Sequence, residues 1–149
     1  MNFIYLKNIT VFIMSVLYIT VGIKHFTQTD FFINIVPPFI IHKEMAVYLS
    51  GLIEIIMGIL LLFNKTRKIG SWGIIFLLIS VFPANIYLYI SEVARDALQI
   101  SKSQALIRLP FQIPLIIIAY WHSQKFSSKR MSLICIILFI PTIIYFATI

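Results

Sequence analysis

Five long apolar stretches constrain this chain more than any other feature of its sequence. They cover residues 8–23 (with 3–6 as an extension past Lys7), 45–63, 69–90, 104–121 and 131–149. About 20 apolar residues in a helix cross the ~30 Å hydrocarbon core of a bilayer. Because 60% of the 149 residues are hydrophobic and only 11% are charged, a soluble domain could not bury this much apolar surface. The sequence therefore predicts an all-α integral membrane protein with no separate soluble domain.

The lysines and arginines between these stretches predict how the chain is oriented in the membrane. Seven basic residues fall on the side where the first stretch begins: Lys7, Lys65, Arg67, Lys68, Lys125, Lys129 and Arg130. The other side carries four basic and four acidic residues: Lys24, Lys43, Arg95, Lys102, Asp30, Glu44, Glu92 and Asp96. Short cytoplasmic loops are enriched in Lys and Arg, so we expect a cytoplasmic N-terminus and an extracytoplasmic C-terminus.

This distribution and the sequence around the first stretch exclude several classes of protein. The net charge of +7 is spread over short loops rather than along one stripe, so it does not indicate nucleic-acid binding. No Ala-x-Ala-like site follows the first stretch, which favours an anchored helix over a removed signal. A single cysteine, Cys135, can form neither an internal disulfide nor a CxxC pair. No pair of histidines has metal-ligand spacing, and we expect His42, His122, Trp72 and Trp121 at the membrane interfaces.

Only two charged residues lie well inside the apolar stretches, Glu54 and Arg108, and their charges are opposite. A charge facing hydrocarbon costs several kcal/mol, so such residues usually face inward, beside a partner or water. At ~1.5 Å per residue, Glu54 lies about 13 Å and Arg108 about 6 Å below the outer ends of their helices. His25, Asn85 and Gln112 fall in the same outer half of the bundle. These five polar residues are the candidate site.

Helical spacing and proline positions support this grouping. Glu54 shares a face of small residues with Gly51 and Gly58, which allows close helix packing or leaves room for a ligand. Pro83 removes the usual donor of the Ile79 carbonyl, so we expect that carbonyl to be free for another partner. The aromatic run at residues 31–39, with its two prolines, either lies in the interface or folds back over the bundle as a lid. The charge-free fifth stretch is expected to pack or anchor.

Each polar residue also has a structural interpretation, which the sequence leaves open. Glu54 and Arg108 could form an ion pair that only fixes helix register. Arg108 could instead extend to the outer interface and leave Glu54 protonated. Asn85 and Gln112 could simply hydrogen-bond between helices, and His25 could be an interfacial residue at a helix end.

Several short motifs occur in a fixed order along the chain. They are Gly22-Ile-Lys-His25-Phe26, Phe32…Val36-Pro37-Pro38, Ser50-Gly51-Leu-Ile-Glu54, Trp72-Gly73, Phe82-Pro83-Ala84-Asn85 and Arg108-Leu-Pro110-Phe-Gln112. With these motifs the chain resembles the DoxX-like family of small bacterial membrane proteins. The resemblance implies a four-helix bundle over residues 8–122 in the bacterial inner membrane, to which residues 131–149 add a fifth transmembrane helix. Some members are linked to oxidoreductases that reduce quinone, which implies a quinone ligand and a membrane oxidoreductase partner. The cysteine pairs of the redox-associated members are missing here.

Three functions are compatible with these features. In the first, the site binds a quinone or another lipid-like molecule through Asn85, Arg108 and Gln112, while Glu54 exchanges a proton and His25 relays it. In the second, the protein is a non-catalytic membrane subunit or chaperone that docks on a partner, and the buried pair is purely structural. In the third, it is a proton-coupled carrier, for which a homodimer would supply the missing inverted repeat. The sequence does not decide whether the protein is an enzyme.

Overall fold

The computed structural model describes residues 3–148, and side chains are described for residues 3–146. All regular elements in this part of the chain are helices: α1 Phe3–Thr27, α2 Thr29–Ile33, α3 Lys43–Leu62, α4 Arg67–Ser80, α5 Phe82–Ile90, α6 Glu92–Leu98, α7 Lys102–Ser123 and α8 Lys129–Thr148. α1, α3, α4 with α5, α7 and α8 form five stretches long and apolar enough to cross a membrane. The prediction of five such helices is confirmed, although Ile149, the last residue predicted for the fifth, lies outside the described residues.

The third long helix is broken at Val81, between α4 and α5. Pro83 lies in the first turn of α5, where a missing N–H costs little because first-turn N–H groups have no intrahelical partner. The Ile79 carbonyl accepts a backbone N–H at the end of α4, so the expectation that it would be free is wrong. The local tightening of the chain at the break satisfies this carbonyl.

α1 and α3 approach each other closely at two glycines, Gly22 and Gly51. A Cβ atom on Gly22 would lie 2.7 Å from the Gly51 carbonyl oxygen, and one on Gly51 would lie 2.5 Å from the Cβ of His25. Neither distance leaves room for a methyl group, so only glycine allows this approach. The small-residue face predicted for α3 therefore packs on α1, and Gly58 continues the contact against Ser15 and Ile19.

The other long helices complete the bundle around this pair. α4 packs on α3, α7 packs on α4, and α8 packs on α7 and α1. Their shared core includes Met14, Leu61, Ile74 and Ile118, each fully buried. Large apolar side chains such as Ile56, Phe76 and Ile137 face outward, and a bilayer would solvate this surface.

The bundle has two different ends. At one end, which we call the loop end, residues 28–42 connect α1 to α3 and residues 91–101 connect α5 to α7. Residues 28–42 fold back onto the helices, one of the two arrangements expected from the sequence, and bury Val36 and Pro37. The opposite end, which we call the basic end, has the shorter connections and the seven basic residues on the N-terminal side.

The basic end contains a buried polar network that the sequence did not indicate. His122 is only 1% exposed, and its Nε2 lies 3.0 Å from the Thr10 hydroxyl. Lys7 donates from Nζ to the Gln124 carbonyl at 2.6 Å and lies over the ring of Trp121. Trp121 is fully buried, so both side chains pack inside the protein at this end of the bundle, and their depth at the membrane interface stays a prediction. Lys7 and Thr10 at the start of α1 reach the end of α7 through these hydrogen bonds.

We expect the substitution Gly51→Val to destabilise the bundle. Its side chain would collide with the Gly22 carbonyl and the His25 Cβ, which belong to a packed helix and cannot move aside cheaply. Overpacking of this kind typically costs about 1–3 kcal/mol of unfolding free energy. The measurement is the thermal unfolding midpoint in a mild detergent. The neighbouring lipid-facing variant Leu52→Val is the control and should stay near wild type, whereas an unchanged midpoint for Gly51→Val would contradict the close approach.

Candidate functional site

Two adjoining cavities lie in the half of the bundle nearer the loop end. The larger, of about 430 Å³, is lined by α3, α4, α5 and residues 28–42, together with His25 of α1 and Arg108 of α7. The smaller, of about 220 Å³, is lined mainly by α1, α7 and residues 28–35, and α8 contributes Phe146. Glu54, Asn85 and Arg108 line both cavities and mark their junction, while His25 lines the larger and Gln112 the smaller. The structure thus brings all five residues proposed from the sequence to the walls of these two adjoining cavities, which we call the joined cavities because they share these lining residues.

Glu54 contacts His25 at this junction. Its Oε2 lies 3.3 Å from His25 Nδ1, and this is the one acid–base contact within 4 Å among the described residues. The same Nδ1 lies 2.9 Å from the Val21 carbonyl oxygen, to which it donates its single proton. Oε2 is therefore left without a hydrogen-bond partner among the described residues, although Glu54 is only 8% exposed. The carboxyl group can accept, or when protonated donate, a hydrogen bond to a molecule in the cavities.

Arg108 is held by Asn85 rather than by Glu54. Its Nε donates to Asn85 Oδ1 at 3.0 Å, and its guanidinium carbon lies 5.5 Å from the centre of the Phe146 ring. The direct Glu54–Arg108 ion pair considered from the sequence is therefore not formed. Glu54 lies deeper in the bundle, and α5 offers a nearer acceptor to the arginine. Within the described part of the chain, no acceptor lies in hydrogen-bond range of the two terminal guanidinium nitrogens.

Gln112 adds a second buried acceptor, one helical turn further along α7. Its Nε2 donates to the Leu78 carbonyl at 3.4 Å, a long hydrogen bond. Its Oε1 is buried and has no partner among the described residues. Buried polar atoms are nearly always paired with protein groups or bound molecules, because leaving them unpaired costs free energy. Two acceptor atoms without partners, Glu54 Oε2 and Gln112 Oε1, and the two terminal donor nitrogens of Arg108 therefore lie around the joined cavities.

The two cavities open toward different surroundings. The larger is bordered by Leu49, Phe76 and Ser80, which are exposed on the outer faces of α3 and α4. In a bilayer this side opening would face the lipid chains. The smaller is bordered by Lys24, Gln28 and Phe31, which are exposed at the loop end. The site therefore has an apolar opening at its side and a second opening, with both polar and aromatic side chains, at the loop end.

Two aromatic side chains complete the site, and sequence reasoning missed both. Phe32 lines both cavities and stacks on the His25 imidazole with ring centroids 3.8 Å apart. Phe146 brings α8 into the wall of the smaller cavity, so this helix does more than anchor the chain. The proline pair signalled the return of the first loop. No periodic pattern in α8 distinguished Phe146 from the phenylalanines that face outward.

The comparisons with known proteins define a family without assigning a function. A family model described as a domain of unknown function, DUF8561, matches residues 14–123. The match ends at the last residue of α7, so it contains the five polar residues of the site and excludes α8. Neither a curated protein nor a solved structure matches the chain. The resemblance to DoxX-like proteins stays a prediction.

We expect Asn85→Leu to lower the stability of the protein. Without the amide oxygen, the Nε of Arg108 loses its acceptor in a partly buried position. An unpaired buried donor costs about 1–3 kcal/mol. The thermal midpoint in mild detergent measures the effect, and Asn85→Asp is the matched control because it keeps an oxygen at the same place. An equal loss in both variants, or no loss in Asn85→Leu, would contradict the assigned contact.

Proposed function

The chain belongs to the DUF8561 family, and from its site we propose that it is a membrane protein that binds a small lipid-like molecule. The observation that carries the proposal is the carboxyl group of Glu54. It is buried, has an oxygen without a partner among the described residues, and lies where two cavities meet. A buried polar group is costly unless something satisfies it. The polar head of a bound molecule would do so.

The cavities suit an amphiphile in size and polarity. The larger one, at about 430 Å³, falls in the range of roughly 300–1,000 Å³ that is usual for small-molecule sites. A head group at the junction would accept hydrogen bonds from the terminal nitrogens of Arg108 and could donate to Gln112 Oε1. An apolar tail would leave through the side opening beside Leu49 and Phe76.

The same arrangement supports proton exchange with the bound head group. Glu54 would give or take the proton, and His25 would link it toward the loop end. A quinone is one candidate ligand, because its carbonyl oxygens need donors and become protonated on reduction. The resemblance to DoxX-like proteins favours this redox-associated role, with a membrane oxidoreductase as partner.

The alternative function is a non-catalytic subunit or chaperone in which the polar groups only fix helix packing. An ion pair kept for register should satisfy the hydrogen-bonding atoms that it buries. Glu54 Oε2 and Gln112 Oε1 have no such partners among the described residues. These two atoms favour a ligand site over a purely structural pair.

We place the protein in the bacterial inner membrane with its basic end in the cytoplasm. The seven basic residues on the N-terminal side have no acidic residue among them, as expected of short cytoplasmic segments. The joined cavities would then lie in the outer half of the bilayer, and the side opening would face the outer leaflet.

A ligand that stays bound during purification can be identified and counted. We expect mass spectrometry of protein purified in mild detergent to find a lipid or quinone in stoichiometric amount. Ala84→Phe should lose it, since Ala84 lines the larger cavity and a phenyl ring would fill that space. Ile86→Phe is the control on the same helix, because Ile86 faces outward and lines neither cavity.

Two results would contradict the proposed function. One is a wild-type protein that carries no small molecule but copurifies with a partner protein in fixed ratio, which the subunit alternative predicts. The other is a folded Ala84→Phe variant, with a thermal midpoint near wild type, that retains the ligand fully.

The orientation has its own test. In a Cys135→Ser background, Asp96→Cys should react with an impermeant thiol reagent on intact cells, because residues 91–101 would lie outside. Asn64→Cys should react only after the membrane is opened. Both positions are exposed and lie at opposite ends of the bundle. The reverse labelling pattern would overturn the orientation.

A further inference from the structure

We propose that the ligand is a single-chain amphiphile with a compact anionic oxygen head group, which Arg108 holds and which binds together with one proton taken up by Glu54 and His25. This inference rests on the proposed function and names the chemical class of its ligand. The shared chemistry is a head group with equivalent anionic oxygens, such as a carboxylate or a monoalkyl phosphate.

The negative charge proposed for the head group follows from the surroundings of Arg108. No carboxylate lies within 4 Å of its guanidinium among the described residues. Its contacts are the neutral amide of Asn85 and the ring of Phe146, whereas Glu54 and Tyr145 act on it only through electrostatic interactions. A cation in low-dielectric surroundings is costly without a counter-ion in contact with it, so an anion gains more here than a neutral carbonyl group does.

The orientation of the head group follows from the hydrogen bond that Arg108 donates to Asn85. Because Nε is committed to Asn85, the two terminal nitrogens remain for a ligand. Their parallel N–H groups match two equivalent oxygens in a bidentate pair, which a single carbonyl oxygen cannot form. The guanidinium is half-buried at the junction of the cavities, so the pair would form where the cavities meet.

The openings of the two cavities indicate that the ligand has a single alkyl chain. The larger cavity has an apolar opening, bordered by Leu49 and Phe76 on adjacent helices. The smaller cavity leads to Lys24, Gln28 and Phe31 at the loop end, where an alkyl chain would leave the lipid for water. One tail therefore has a favourable path out of the site, and a second tail would not.

The uptake of one proton together with the ligand follows from the balance of charges inside the site. Ionisable side chains line the cavities from three helices: Tyr18, Lys24 and His25 from α1, Glu54 from α3 and Arg108 from α7. Among the described residues, α2, α4, α5, α6 and α8 contribute none to the linings, although Tyr145 of α8 interacts electrostatically with Arg108. Lys24 is exposed to solvent at the opening. When Glu54 is ionised and His25 is neutral, the charges of Glu54 and Arg108 cancel. A bound anion leaves one negative charge in excess, and one proton on the Glu54–His25 contact restores neutrality.

The test uses decyl sulfonate, whose head group stays ionised, so any proton taken up must bind to the protein. Equilibrium dialysis compares nanodiscs that contain the protein with empty nanodiscs. We expect saturable binding to wild type, with decanol and decylammonium at least about tenfold weaker. Affinity for the sulfonate should fall as pH rises above the range in which the Glu54–His25 contact of the free protein is already protonated, by up to about tenfold per pH unit where one proton is coupled. Decanoate and decyl phosphate, compared at one pH, distinguish the two natural head groups.

Four variants separate the parts of the proposal. Glu54→Gln should bind the sulfonate at least as tightly as wild type and lose most of the pH dependence, because its side chain is permanently neutral. Arg108→Gln should lose binding at every pH, and Arg108→Lys should recover part of it through charge alone. Lys24→Gln, at the solvent opening, should keep the pH dependence. The thermal midpoint of each variant confirms that it is folded.

The outcomes distinguish this inference from the proposed function. If decanol or a short-chain quinone binds wild type as tightly as the sulfonate, the site is real and the anionic head group is wrong. If sulfonate binding is tight but independent of pH in wild type, the proton uptake is wrong. If no probe binds above empty nanodiscs and no molecule is retained on purification, the proposed function fails as well.

Discussion

The direct approach of α1 to α3 at Gly22 and Gly51 is the contact on which the site depends. Because neither position has a side chain, the two backbones come close enough to bring His25 within 3.3 Å of Glu54. This places a carboxyl group deep in the bundle, against an imidazole that has already donated its Nδ1 proton to the Val21 carbonyl. A larger residue at either glycine would separate the helices and remove the contact.

The opposite wall of the site follows from the break between α4 and α5. Pro83 starts a new helix there, and Asn85 in its first turns accepts the Nε of Arg108. Glu54 and Arg108 are therefore each held by a different neighbour, with the cavity junction next to both. In a medium of low dielectric constant, an arginine cation kept out of contact with the nearest carboxyl group is costlier than one in a direct ion pair. This separation is the physical reason to expect a ligand at the junction.

The sequence predicted much of this arrangement because helix length and rise are fixed quantities. The thickness of the hydrocarbon core predicts how long each of the five helices must be. The rise per residue then predicts the depth of Glu54, Asn85 and Arg108, which places all three in one half of the bundle. Contacts between helices depend on rotation and separation, which spacing along one helix does not determine. The sequence therefore suggested a Glu54–Arg108 pair, whereas the structure pairs Glu54 with His25. It gave no sign that Phe146 would lie over Arg108, since α8 is apolar on all sides.

If the unpaired polar atoms at the junction belong to a ligand site, a molecule should occupy it in the wild-type protein. An experimental structure of that protein, taken from membranes straight into nanodiscs, would show the molecule. We predict elongated density that begins at the terminal nitrogens of Arg108, passes Glu54 and leaves between Leu49 and Phe76. A junction filled only by ordered waters, or a side-chain arrangement in which Glu54 and Arg108 pair directly, would contradict it.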